Sequence, residues 1–393
     1  MVDEKLREFA TDKQWTYYEA VTLHGSHEAA ARELGINKRT IGRSLQALRK
    51  KAAMHGYAPD HGWNNPVPDG FKTKRISTLT DIQSGQDKLQ WNIAEPDRER
   101  QLELIKIGFE VAAEDLPKLP PFPAPHETPN PALMSVIPWG DPHFGLYTLA
   151  DEVGQDFDLT TAKRDLCAAV DYLVSQSPAS ERCVLVNLGD FFHADTPSGT
   201  TTKGTRLDMA GRLPEIITVG VAAVRQCIES ALAKHQSVEI INAIGNHDEV
   251  TSMALSVMLA NIYEHESRVI VHAAPTWRHY IKHGRTLIGV VHGDKTKDRD
   301  LPGLMATERP QWWGETTSRY FYRGHQHHDQ KDEFAGCIVE QFRTLAPGDA
   351  WSVSHGYLSG QDMKLIVHHA AYGEVARSTC SVQMLRDLRL AVD

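Results

Sequence analysis

The chain has 393 residues, 41% hydrophobic and 24% charged, enough to bury a full-sized core and to build two or more domains. That composition excludes a collagen, a disordered tail and a disulfide-stapled miniprotein, and no run approaches the ~18 apolar residues of a membrane span. The net charge of −9 argues against a simple nucleic-acid-coating protein, yet residues 1–55 carry ten Lys/Arg against seven Asp/Glu, so the front end is +3 and the remainder −12.

The opening Met1-Val2-Asp3-Glu4-Lys5 is charged and lacks the apolar core of a signal peptide. Five widely spaced cysteines without a CxxC pair suit reduced thiols, so a cytoplasmic location is expected. Residues 1–55 are helical in pattern. Within them, residues 24–51 (HGSHEAAARELGINKRTIGRSLQALRKK) read as helix, a Gly35-Ile36-Asn37 turn, then helix, a spacing that resembles a helix-turn-helix. At 100° per residue, Ile41, Leu45 and Leu48 fall within roughly 60° of one another as a core stripe. Arg39, Arg43, Gln46 and Lys50 cluster on the opposite side, giving cations for phosphates and forked donors for base edges. DNA binding is the reading adopted; a protein-interaction face and a merely solvated basic face are the alternatives.

Residues 56–131 open with Gly56, Pro59, Gly62, Pro66 and Pro68. A hairpin is expected from Ile76 to Ile93 around Ser84-Gly85, then a helix from near Pro96 to about Glu114. Seven of the twenty prolines lie between Pro117 and Pro131, which suits an extended linker and sets the expected main domain boundary there. The expected division is therefore 1–55, 56–131 and a catalytic domain over 132–393.

From Leu133 onward, short apolar runs alternate with helical stretches, an α/β pattern. The runs are Leu133–Ile137, Cys183–Val186, Val238–Ile244, Val269–Val271, Leu287–Val291 and Tyr320–Tyr322, with helices expected at roughly 160–177, 213–234 and 252–265. Five runs end in metal-type residues: Gly140-Asp141-Pro142-His143, Gly189-Asp190-Phe191-Phe192-His193, Gly245-Asn246-His247-Asp248, His292-Gly293-Asp294 and Gly324-His325-Gln326-His327. A single Asp-x-His is weak evidence, because a capped loop supplies one. Five such clusters past five strands are a different matter, since strand ends on one sheet edge bring their loops to one crevice. Glycine beside a ligand lets the backbone turn sharply and come close to an ion. Carboxylate and imidazole suit manganese, iron or zinc, and the lack of cysteine in the clusters disfavours a structural zinc. Two ions roughly 3.5–4 Å apart need a shared carboxylate, for which Asp190 is the candidate, and such a pair clamps both oxygens of an in-line displacement at phosphorus.

The ordered set Asp-x-His, Gly-Asp, Gly-Asn-His, His-Gly, Gly-His-x-His resembles the calcineurin-like metallophosphoesterases over roughly residues 133–330. The resemblance implies an α/β fold, a β-sheet sandwich flanked by helices, here preceded by the small helical module. It implies a first metal held by Asp141, His143, Asp190 and His327, and a second held by Asp190, Asn246, His292 and His325. His247 would be the non-ligand histidine that protonates the leaving oxygen or stabilises the phosphorane-like charge. Where the general family pattern is Gly-Asp-x-x-Asp, this chain has His193, and the string GDFFHADTPS looks like the SbcD branch of double-strand-break repair nucleases. By that similarity His193 positions the scissile phosphate; a supporting hydrogen bonder is the alternative. Asp248 and Asp294 are expected to orient ligands, and His328, His355, His368 and His369 to be structural.

The loop Ser198–Arg212 carries Lys203, Arg206 and Arg212 among glycines and threonines, which can grip phosphates; a mobile surface loop is the alternative. Trp312 and Trp313 are candidates for stacking a base, with burial the rival reading. The expected function is a metal-dependent phosphodiesterase on DNA, a nuclease using two divalent ions, manganese first with iron or zinc as alternatives. The expected partner is DNA and not a membrane, while a second copy or an ATPase partner is left open by the residues. A phosphomonoesterase or small-molecule phosphodiesterase, such as one cleaving cyclic nucleotides, is the first rival, and a DNA-binding regulator with an inactive centre the second. Met363–His368 is expected to be a strand.

Overall fold

A computed structural model describes residues 3–390 except 65, 69–70, 81–86, 98–99, 101–102, 104–106 and 108–121. By internal contacts the chain forms two compact units, Met1–Ile105 and Lys106–Asp393.

In the first unit, three helices follow a short 3-10 turn: α1 (Asp12–His24), α2 (His27–Glu33) and α3 (Lys38–Met54). Thr11 and Gln14 form a capping box on α1, Ser26 caps α2 and Asn37 caps α3, so each start is written in the sequence. Gly35 takes a φ of +64° between α2 and α3, a left-handed turn that side chains with a Cβ rarely adopt. Ile41, Leu45 and Leu48 are buried against Trp15, Ala30 and Ala31, the stripe expected from periodicity. Strands β1 (Tyr57–Ala58) and β2 (Trp63–Asn64) pair antiparallel, as do β3 (Phe71–Thr80) and β4 (Asp87–Pro96). The turn expected at Ser84-Gly85 lies outside the described residues, as does most of the helix expected over 96–114.

The second unit contains β5 (Asn130–Trp139), β6 (Ser180–Asn187), β7 (Ser237–Asn242), β8 (Val269–His272), β9 (His279–His283), β10 (Thr286–Val290), β11 (Ser318–Arg323), β12 (Gln330–Phe334), β13 (Cys337–Gln341), β14 (Asp362–His369) and β15 (Gly373–Ser381). They make a six-stranded sheet in the order β15-β14-β5-β6-β7-β8 and a five-stranded sheet in the order β12-β13-β11-β10-β9. Met134, Val136, Val184, Val186 and Ile241 of the first sheet pack on Ile281, Ile288, Val290, Tyr320 and Tyr322 of the second, which places one core between the sheets. Helices Leu159–Gln176 and Leu213–Leu232 cover the outer face of the six-stranded sheet, and Leu301–Glu308 the outer face of the other. The fold class is thus α/β, a sandwich of two sheets flanked by helices. The single core sheet suggested by the run pattern is in fact two, because β10 and β11 pair with β9 and β13 rather than with β8.

Residues 122–130 of the proline-rich stretch are fastened to the second unit and do not hang free. Phe122 packs on its core and its N–H donates to Glu266, while the N–H of Asn130 donates to the carbonyl of Ala179 at 2.9 Å. All five cysteines are buried and unpaired, and no helix of the described residues is long and apolar enough to cross a membrane.

Burial holds three structural histidines neutral: His235 and His279 are pushed down to about 4 and His368 to about 3. Unfolding releases rings that bind protons from about pH 6.5 downward, so their stabilising effect is complete above that pH. It is lost as the pH falls toward 4, at up to about 1.4 kcal/mol per pH unit for each ring. The unfolding midpoint is expected to drop between pH 7 and 5, more shallowly in His368→Gln. An identical slope in the variant would remove His368 from this account.

Candidate metal centre

Strands β5, β6 and β7 run parallel in one sheet, and β10 and β11 run parallel in the other. Each ends at the same edge of the sandwich, and the five ligand-type clusters are the loops that follow them. The structure brings together Asp141, His143 and His327 as one group and Asp190, His292 and His325 as a second, each with ligand atoms within 4.8 Å of one another. His143, His193 and His247 form a third group by the same measure. Asn246 joins the second group through Oδ1, which lies 3.0 Å from His292 Nε2.

The backbone is bent to make this possible. Among the described residues, the non-glycine positions with positive φ are Asp141, His143, Asp190, His325 and His327 (φ 41° to 76°). All five belong to the expected ligand set, and each such residue costs on the order of 1–3 kcal/mol that the surrounding structure must offset. The neighbouring glycines are required by close approach. A Cβ on Gly245 would lie 2.0 Å from Asp190 Oδ1, and one on Gly324 would lie 2.4 Å from Asp141 Oδ2.

The donor arrangement fits a pair of cations. His143 Nε2 and His327 Nε2 face each other at 3.2 Å, and two neutral ring nitrogens at that distance repel unless a proton or cation lies between them. Two ligand atoms at right angles around one ion, each ~2.1 Å from it, stand roughly 3 Å apart. His292 Nδ1 donates to the carbonyl of Leu188 at 2.9 Å, which turns its Nε2 toward Asp190 Oδ2 at 3.2 Å and Asn246 Oδ1. Asp190 Oδ1 accepts the N–H of His247 at 2.8 Å. Both oxygens of Asp141 accept the N–H of His325, and its carbonyl accepts Thr344 Oγ1 at 2.7 Å. Thr344 lies outside every cluster legible in the sequence.

The charges favour the same reading. Burial alone would raise Asp190, but His292, at hydrogen-bond distance, holds its carboxyl well below the usual range. Burial alone would lower His292, yet Asp190 and Asp141 push it up to about 10. Burial and the neighbouring imidazoles keep His143 neutral, and burial takes His193 down to about 3. Ionised Asp190 and neutral His143 are in the forms that ligate a metal, whereas the carboxylates draw a proton onto His292 and raise His327, an excess of negative charge that a bound cation would offset in the proton's place.

Of the remaining expected residues, His193 is buried with Nδ1 3.2 Å from His143 Nδ1. His247 directs Nδ1 to the carbonyl of His193 at 2.9 Å, which leaves Nε2 for other work. Asp248 accepts the N–H groups of Phe192 and Gly245, and so orders the loops that hold Asp190 and Asn246. Lys203 and Arg206 are exposed on a loop whose base is tied to the centre: Asp195 accepts the N–H groups of Val250 and Thr251 and the Thr202 hydroxyl. Trp312 and Trp313 are partly buried against the outer core, with the guanidinium groups of Arg309 and Arg319 over their rings. On α3 of the first unit, Arg39, Arg43, Gln46 and Lys50 are all exposed, and Arg43, Gln46 and Lys50 line a groove of about 730 Å³ together with Arg49, Tyr57 and His61.

No family model and no curated protein matches the chain. Among solved structures it is similar to a conserved protein of Streptococcus pneumoniae described as a predicted phosphoesterase, at 13% identity and a TM-score of 0.28 over 64% of this chain and 98% of that one. Vps29 of Entamoeba histolytica complexed with zinc is similar at 12% identity and a TM-score of 0.27, over 63% of this chain and 99% of that one. A putative 5'-nucleotidase of Staphylococcus aureus gives 11% and 0.30, over 64% and 54%.

Proposed function

We propose that this chain is a calcineurin-like metallophosphoesterase, a dinuclear metal-dependent phosphodiesterase that hydrolyses DNA. The observation that carries the reading is the convergence of seven ligand-type side chains from five strand-end loops, a set that includes every non-glycine residue of positive φ among the described residues. Asp141, His143, Asp190 and His327 would hold one ion, and Asp190, Asn246, His292 and His325 the other. The donor set of carboxylate, imidazole and amide suits manganese first, with iron or zinc as alternatives. Such ions, when bound, polarise a phosphoryl oxygen and acidify a water, which is the chemistry of phosphodiester hydrolysis at neutral pH.

The chain's own groups supply the rest. His247, with Nδ1 engaged by the His193 carbonyl, presents Nε2 as the atom that gives a proton to the leaving oxygen. His193, buried beside His143, positions the scissile phosphate, in keeping with its similarity to the SbcD branch. Lys203 and Arg206, which have no ion-pair partner among the described residues, supply positive charge for the backbone. In the first unit, the exposed basic face of α3 suits a helix-turn-helix that holds duplex DNA, a polyanion the acidic second unit would otherwise repel.

The reading is tested with manganese on linear and circular, single- and double-stranded DNA. His247→Ala is expected to slow cleavage by about 10²–10⁴. If the wild type spares all DNA but hydrolyses a small phosphodiester, the rival small-molecule activity replaces this one. Separately, Arg43→Ala should weaken DNA binding and lower the salt slope by about 1 if it meets a phosphate. Unchanged affinity at every salt concentration would take Arg43 off the contact list.

A further inference from the structure

The loop after β8 carries none of the ligand residues, yet it belongs to the same edge. Strand β8 runs parallel to β7, with Ile240 opposite Val271 and Ile241 opposite His272, so residues 273–278 leave the sheet beside the loop that holds Asn246 and His247. That loop holds Trp277, with Lys295 Nζ 3.2 Å from the centroid of its ring. Lys295 lies three residues past His292 and also faces Glu249 Oε1 at 3.4 Å and Asp294 Oδ2 at 3.6 Å. Glu249 is buried and lies three residues past Asn246. The indole is therefore pinned to the rim of the metal centre by a cation on one face.

Trp277 is partly exposed and lies outside every apolar cluster of the described residues. Trp312 and Trp313, by contrast, pack against the outer core beneath arginines. A ring held in place by a cation–π contact, beside a centre for phosphate chemistry, has the two features that bind an unstacked nucleotide: a π-face for the base and a positive charge for the adjoining phosphate. A base inside a duplex cannot reach such a face, so the strand at the centre must be single-stranded or frayed there.

We infer that Trp277 and Lys295 form a platform for one unpaired nucleotide next to the scissile phosphate, Trp277 stacking its base and Lys295 meeting its phosphate. The inference rests on the DNA phosphodiesterase reading given above. It assigns that centre a substrate class, a strand whose base is unpaired beside the cut.

The test is binding of a phosphorothioate-linked thymidine trinucleotide and its abasic counterpart to the full chain with manganese. The wild type is expected to prefer the base-bearing probe by about tenfold or more, the size of one base-stacking contact. Trp277→Leu should lose most of that preference while binding the abasic probe as before, and Trp277→Phe should keep most of it. Lys295→Gln should weaken both probes alike. Should the leucine variant fail to fold, the phenylalanine variant and Lys295→Gln still decide the matter. A wild type without base preference, or a leucine variant that retains it, overturns the platform. A wild type that hydrolyses no phosphodiester yet shows the preference through Trp277 leaves the platform standing and removes the phosphodiesterase reading. Cleavage of DNA without any base preference does the reverse.

Discussion

Under the proposed function, Asp190→Asn is expected to bring phosphodiester hydrolysis down to the uncatalysed background, a loss of more than about 10⁴-fold, while the chain stays folded. The carboxylate is buried and held ionised by His292, and it groups with His292 and His325. Asparagine keeps the shape but removes the charge that offsets the cations. His292 then loses its main anionic neighbour, so its raised proton affinity falls as well. Elemental analysis of the variant should show fewer than two ions per chain. Full metal content together with wild-type turnover would take Asp190 out of the centre.

Gly245→Ala should be nearly as damaging, although it removes no ligand. The added Cβ would stand 2.0 Å from Asp190 Oδ1 and 2.2 Å from the Asp190 N, and both are buried parts of a loop with no room to retreat. Asp190 already sits at a φ of 50°, a conformation that the same packing enforces. Relief of the clash requires a shift of about 1 Å in the ligand, and a displacement of that size near the reacting atoms costs roughly 10²-fold even before metal is lost. Gly303→Ala is the control, since its Cβ would meet nothing within 4 Å. Equal metal content and turnover in Gly245→Ala and Gly303→Ala would contradict the close-packed site described here.

The two variants also show which parts of the site were legible in the sequence. Ligand-type residues stood directly after apolar runs, each with its glycine, and the structure joins all seven expected ligand residues at one edge. The strain that holds them was not legible, because a positive φ at aspartate or histidine leaves no mark in composition. Trp277 escaped notice for a related reason. Its partner Lys295 lies in the loop after β10, a strand of the other sheet, and only the stacking of the two sheets brings the two together. Reading Val269–Val271 as a fourth parallel strand would have sent its following loop to the same edge.

The fold was readable where burial is continuous and unreadable where it is not. Strands β5, β6 and β7 have inner faces dense in valine, leucine and isoleucine, so their runs stand out. Strand β12 (QKDEF) lies exposed at a sheet edge, and β9 (HYIKH) buries only Tyr280 and Ile281 as apolar residues, flanked by two buried histidines. Neither offers an apolar signal. The helix expected at 252–265 runs from Glu249 to Ile262, because Glu249, Val250, Thr251 and Ser252 form a first turn with only one apolar residue ahead of the continuous apolar stretch that begins at Met253.

The central claim is that one chain holds two divalent ions around Asp190. Manganese titrated into the metal-free full chain, followed by electron paramagnetic resonance, tests it most directly. Two equivalents bound, with an exchange-coupled signal that Asp190→Asn abolishes, is the result predicted. No binding, or a single uncoupled ion unaffected by that substitution, would contradict the account.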